Sequence, residues 1–113
     1  MAALDADIEI IERTLCHMAK IYPPSRDVRT LMAFDREHGQ FLLLDEGWRG
    51  YERSHDVWLH VELRDGQFWI QEDGTEIGVA NKLVDAGVPP ERIVLAFNAP
   101  AIREPMEAVM GRR

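Results

Sequence analysis

The sequence predicts an α+β domain: an N-terminal helix, an antiparallel sheet of about four strands, a second helix and a short C-terminal segment. Three observations predict it. Apolar residues recur at helical spacing from Leu4 to Tyr22. Alternating stretches follow, joined by short turns at His38-Gly39 and Asp65-Gly66. A second apolar stripe then ends on Gly87.

The first helix rests on Leu4, Ile8, Ile11, Leu15, Met18 and Tyr22, which share one helical face. Asp5, Asp7 and Glu9 lie near its positive end, Glu9 can pair with Arg13, and Pro23-Pro24 stops it. The stripe fits a helix docked on a sheet, and its spacing also fits a short seam for a partner helix. From Arg26 to Glu37 side chains alternate, with Val28, Thr30, Met32 and Phe34 on one side. The return strand, Gln40 to Glu46, is apolar on both faces at Phe41-Leu42-Leu43-Leu44, which marks an interior strand. Gly47-Trp48-Arg49-Gly50-Tyr51 reads as a loop.

A third strand is expected from about His55 to Arg64, and Asp65-Gly66 supplies the positive-φ pair of a two-residue hairpin. That turn sets Leu63 against Phe68 and Val61 against Ile70 on an inner face. It sets Glu62 against Trp69 and His60 against Gln71 on the other face, where alternation also puts Trp58. Asp73 and Glu76 have the spacing of a capping box for the second helix, whose stripe is Ile77, Ala80, Leu83 and Val84. Pro89-Pro90-Glu91-Arg92 suggests a helical turn, Ile93 to Phe97 a strand or buried segment, and Met106 to Met110 a weak helical stripe. Without linker or repeat, residues 1–113 are read as a single domain.

With a formal net charge of -7, and with basic residues scattered among acids, the chain is not expected to bind nucleic acid directly. A basic partner protein suits it better. The single cysteine, Cys16, allows no internal disulfide, and no apolar run reaches membrane-spanning length, so a cytoplasmic location is expected.

The search for catalytic chemistry is negative. No phosphate-binding glycine loop and no nucleophile elbow appear, and Ser25 and Ser54 read as turn serines. His55 and His60 are five apart on a strand, so they point to opposite faces and cannot share a metal there. No metal, cofactor or catalytic residue is expected. The unexplained feature is the face carrying Trp58, His60, Trp69 and Gln71. Tryptophan is enriched at binding hot spots, so this face is either an interface or is covered by another part of the chain, such as its tail.

Residues Phe68-Trp69-Ile70-Gln71-Glu72-Asp73-Gly74-Thr75-Glu76-Ile77-Gly78-Val79-Ala80 resemble the signature of the XisI family, the fdxN-element excision controlling factors. The resemblance continues through Gly87-Val88-Pro89 and Ile93 to Phe97, and includes Gly47-Trp48. It implies a non-catalytic accessory factor in programmed DNA excision or a related DNA transaction. It also implies a nuclease-like partner of the XisH type, and through it an indirect association with a recombinase–DNA complex. Trp69, Gln71, Asp73, Gly74, Thr75 and Glu76 are the signature positions it carries over. The chain departs from the family at Gln67, often lysine there, at Asn98, often histidine, and in its Met106–Met110 tail. Two other classes stay open: a homo-oligomer or small-molecule-binding domain without a DNA role, and an antitoxin-like inhibitor of a nuclease.

Overall fold

The alternating stretches form four antiparallel strands in chain order, and a fifth strand pairs with the last of them in parallel. The computed structural model describes residues 2–99. In order these are α1 (Ala2–Ile21), β1 (Val28–Asp35), β2 (Gln40–Arg49), β3 (Glu52–Arg64), β4 (Gln67–Asp73), α2 (Val79–Asp85), a 3-10 turn (Pro90–Arg92) and β5 (Ile93–Leu95). The sheet order is β1-β2-β3-β4-β5. The Met106–Met110 stripe falls outside the described residues.

The helical stripe docks as its spacing requires. Ile11, Leu15 and Met18 are solvent-inaccessible against Phe41 and Leu43 of β2, Leu59 and Val61 of β3, and Phe68 and Ile70 of β4. Val79 and Leu83 of α2 join the same cluster, so both helices cover one face of the sheet. Each such side chain contributes on the order of 1.5–3 kcal/mol through burial. Leu4, at the start of the stripe, is 44% exposed, so the docked face begins later than the periodicity.

The hairpin turn Asp65-Gly66 has positive φ at both residues, and it fixes Leu63 opposite Phe68 and Val61 opposite Ile70 as predicted. At the end of α2, Val88 N–H donates to Leu83 O and Gly87 N–H to Val84 O, the paired bonds of a Schellman motif. Val88 and Leu83 are both buried, the apolar contact that accompanies the motif.

Several elements differ from expectation. β2 runs through Gly47 and Trp48 to Arg49, and β3 begins at Glu52, so the predicted loop is a long hairpin turning at Gly50-Tyr51. Gly47 is there for close approach: a Cβ would lie 2.1 Å from Asp27 O and 2.7 Å from Val28 Cα. Ser54 is a buried strand residue opposite Gly47, not a turn serine. α2 begins at Val79 behind Gly78, not at Asp73, because β4 continues through Asp73, which pairs with Leu59. Ile77 therefore precedes the helix and is 40% exposed.

One long-range ion pair was not visible in the sequence. Arg92 Nη2 donates to Asp7 Oδ2 at 2.6 Å and its Nε to Gly66 O at 2.9 Å, while the guanidinium lies 5.1 Å from the centre of the Phe68 ring. It ties α1 to the β3–β4 turn. No helix among the described residues is long and apolar enough to cross a membrane.

Candidate partner-binding face

Two β-bulges decide where the candidate residues point. Leu43 pairs with Leu59 but Leu44 with Val57, so Trp58 is an extra residue in β3. Val61 pairs with Ile70 but His60 with Glu72, so Gln71 is an extra residue in β4. Bulges re-aim side chains and break simple alternation. The predicted pairing of His60 with Gln71 is corrected by this shift.

Trp58 turns onto the helix-covered face. Its indole N–H donates to Asp45 Oδ1 at 3.0 Å, and Thr30 Oγ1 donates to the same oxygen at 2.8 Å. Asp45 alternates with Phe41 and Leu43, which places it on the core side. The Trp58 ring also meets Tyr22 edge-on at 6.2 Å, and Tyr22 Oη accepts from Ile77 N–H at 3.1 Å. Trp58 thus braces the sheet, the end of α1 and the approach to α2. It does not share a face with Trp69, contrary to the alternation.

Asp73, Gly74 and Thr75 are engaged by hydrogen bonds within the chain. Asp73 Oδ1 accepts from Thr75 N–H at 3.0 Å and from Thr75 Oγ1 at 2.6 Å, and its Oδ2 accepts from Val79 N–H at 2.8 Å. Thr75 Oγ1 in turn accepts from Gly78 N–H at 3.0 Å. Asp73 therefore serves the start of α2 from a distance, without being its N-cap. Gly74 N–H donates to Trp58 O at 2.7 Å, and a Cβ there would sit 3.1 Å from that oxygen. Glu76 is exposed and does not complete a capping box.

The remaining residues converge on the sheet face away from the helices. Trp69, opposite Glu62, alternates with the buried Phe68 and Ile70, and the Arg64 guanidinium lies over its ring at 3.7 Å. Gln71 Nε2 donates to Glu62 Oε1 at 2.9 Å, and His60 Nε2 lies 2.7 Å from Gln40 Oε1. Leu42 and Leu44 of β2 and Val57 of β3 are part-exposed there as well. Partial burial holds the His60 pKa below its ordinary 6.5, and Glu62 and Glu72 oppose that shift. Such an arrangement suits recognition: an amphipathic aromatic, a cation stacked on it and an amide fixed by a carboxylate.

The sign of the His60 shift makes a prediction. The unfolded chain takes up the proton first, so the contribution of His60 to stability is intact above about pH 7 and falls as pH drops through 6.5. His60→Gln is expected to flatten the urea-midpoint profile in that window and leave the acid limb below pH 4.5 unchanged. Glu12 and Glu46, held below their ordinary values by Arg36 and by Arg29 with Arg53, and Asp35, held below its own by His38, contribute to the acid limb. An unaltered profile between pH 7 and 5.5 would show that His60 is not the titrating group.

The family model described as XisI protein matches residues 1–109. The chain belongs to the XisI family. A XisI-like protein from Anabaena variabilis ATCC 29413 has a similar crystal structure, with 31% identity and a TM-score of 0.83 over 88% of this chain and 92% of that one. The fdxN element excision controlling factor XisI from the same organism is 26% identical, with a TM-score of 0.74 over 89% of this chain and 92% of that one. No curated protein matches the chain. In this fold Asp73, Gly74 and Thr75 build the entry to α2, Glu76 is exposed beside them, and Trp69 and Gln71 lie on the sheet face away from the helices.

Proposed function

We propose that the chain is a non-catalytic accessory factor in programmed DNA-element excision or a related DNA transaction. It acts by binding a nuclease-like, XisH-type partner through the sheet face away from the helices, at Trp69 and Gln71. The observation that carries this reading is that Asp73, Gly74 and Thr75 are taken up by the fold, whereas Trp69 and Gln71 lie together on a face that neither described helix covers. A net charge of -7 favours a basic partner surface, which the chain would shield from DNA in the manner of an antitoxin.

Co-expression with an XisH-type protein tests it. A stable complex on sizing is expected, together with a change in the partner's action on DNA when this chain is present. Gln71→Ala and Trp69→Ala are expected to weaken the complex by at least about 2 kcal/mol, roughly thirtyfold, as hot-spot truncations do. Gln71→Ala should leave the thermal midpoint nearly unchanged. Separate elution of the two proteins, or a complex indifferent to both substitutions, would count against this face.

A further inference from the structure

The edge strand β1 offers a second interaction surface, at the edge of the sheet opposite β5. β2 pairs with one side of β1, and no described strand pairs with the other. Its register with β2 runs unbroken from Val28 to Asp35, and the strand VRTLMAFD contains no proline, lysine or bulge. Those are the features that normally keep a sheet edge from pairing.

The direction of its free backbone groups can be derived. Trp48 N–H donates to Asp27 O at 3.1 Å, and these residues extend the β1–β2 register by one step. Odd-numbered residues of β1 therefore bond to β2, and Thr30, Met32 and Phe34 turn their N–H and C=O groups to the edge that no described strand occupies, while the Val28 N–H is taken by Ser25 O at 3.1 Å. The strand's side chains are also antisymmetric in charge, with Arg29 near the start, Asp35 at the end and Leu31-Met32-Ala33 between.

We propose that β1 pairs antiparallel with β1 of a second copy about a two-fold axis at Met32, joining two five-stranded sheets into one continuous sheet. In this register Met32 faces its own counterpart, Leu31 faces Ala33, Thr30 faces Phe34, and Arg29 faces Asp35 at both ends. Opposite charges across a strand pair stabilise it and like charges oppose it. Sliding two residues one way would set Asp27 against Asp35. Sliding the other way would set Leu31 against Asp35 and move Arg29 opposite Glu37, which lies beyond the end of β1. An unrelated partner strand would not require the antisymmetry, whereas a second copy uses it twice. The side chains are accessible: Arg29 and Asp35 are 71% and 52% exposed, and Met32 is 51% exposed. This pairing does not involve Trp69 or Gln71, so it stands or falls apart from the partner reading.

Sedimentation of the purified full chain across a dilution series tests it, with circular dichroism as the check on folding. A dimer is expected. Arg29→Asp and Asp35→Arg are each expected to raise its dissociation constant about tenfold, and the double reversal to restore it. Met32→Lys places two like charges on the axis, and a folded monomer is expected. A wild-type chain that stays monomeric, a dimer that none of these variants weakens, or single reversals that the double does not rescue would each overturn the proposal.

Discussion

Trp58→Ala is expected to destabilise the fold by about 3 kcal/mol, the scale of removing a large aromatic from a packed site. The loss should appear as a lower urea midpoint at unchanged slope. Three contributions combine. The Tyr22 ring loses its edge-on partner, a space opens between β3 and the end of α1, and Asp45 loses the indole bond and keeps only Thr30. Trp58→Phe retains most of the packing and should lose about 1 kcal/mol, the scale of one hydrogen bond. If Trp58→Ala left stability intact and removed partner binding instead, the side chain would have to lie on the face away from the helices, against the bulge geometry.

Arg92→Ala is expected to cost about 2–3 kcal/mol. Asp7 is almost fully buried, and removing its partner leaves a carboxylate with poor access to water. Fully buried pairs lose about 3–5 kcal/mol on such truncation. The Arg92 side chain is 33% exposed, so solvent screening lowers the figure here. The substitution also removes the bond to Gly66 O and the guanidinium beside Phe68. A double-mutant cycle with Asp7→Ala separates these effects: a coupling of about 1–2 kcal/mol is expected between the two positions. Additive losses would show that Arg92 acts only through Gly66 and Phe68.

The sequence was most legible where a local rule and the tertiary structure agree. Helical spacing identified Ile11, Leu15 and Met18 as a docked face, and Asp65-Gly66 set the β3–β4 register from its turn chemistry alone. It was least legible at the bulges. An extra residue such as Trp58 or Gln71 is specified by how neighbouring strands twist and pair, and nothing in a linear alternation marks it. For the site this mattered directly, because alternation grouped Trp58 with Trp69 although they lie on opposite faces. Asp73 was misplaced for a related reason. An acid three residues before a glutamate has the same appearance at a strand end as at a helix start, and pairing with Leu59 kept Asp73 in β4. The parallel partner of Ile93–Leu95 was equally hidden, since a short apolar run does not name its neighbour.

The order of the strands has a consequence for how the chain is made. Because the sheet follows the sequence from β1 to β5, each strand leaving the ribosome finds its template already waiting beside it. The exception is α1, which precedes the sheet and whose Ile11, Leu15 and Met18 must stay wet until β2 and β3 arrive to receive them. The bond between Asp7 and Arg92 spans 85 residues, so it forms only after the turn before β5 has emerged, fastening the helix that precedes the sheet to the turn that leads into its fifth strand.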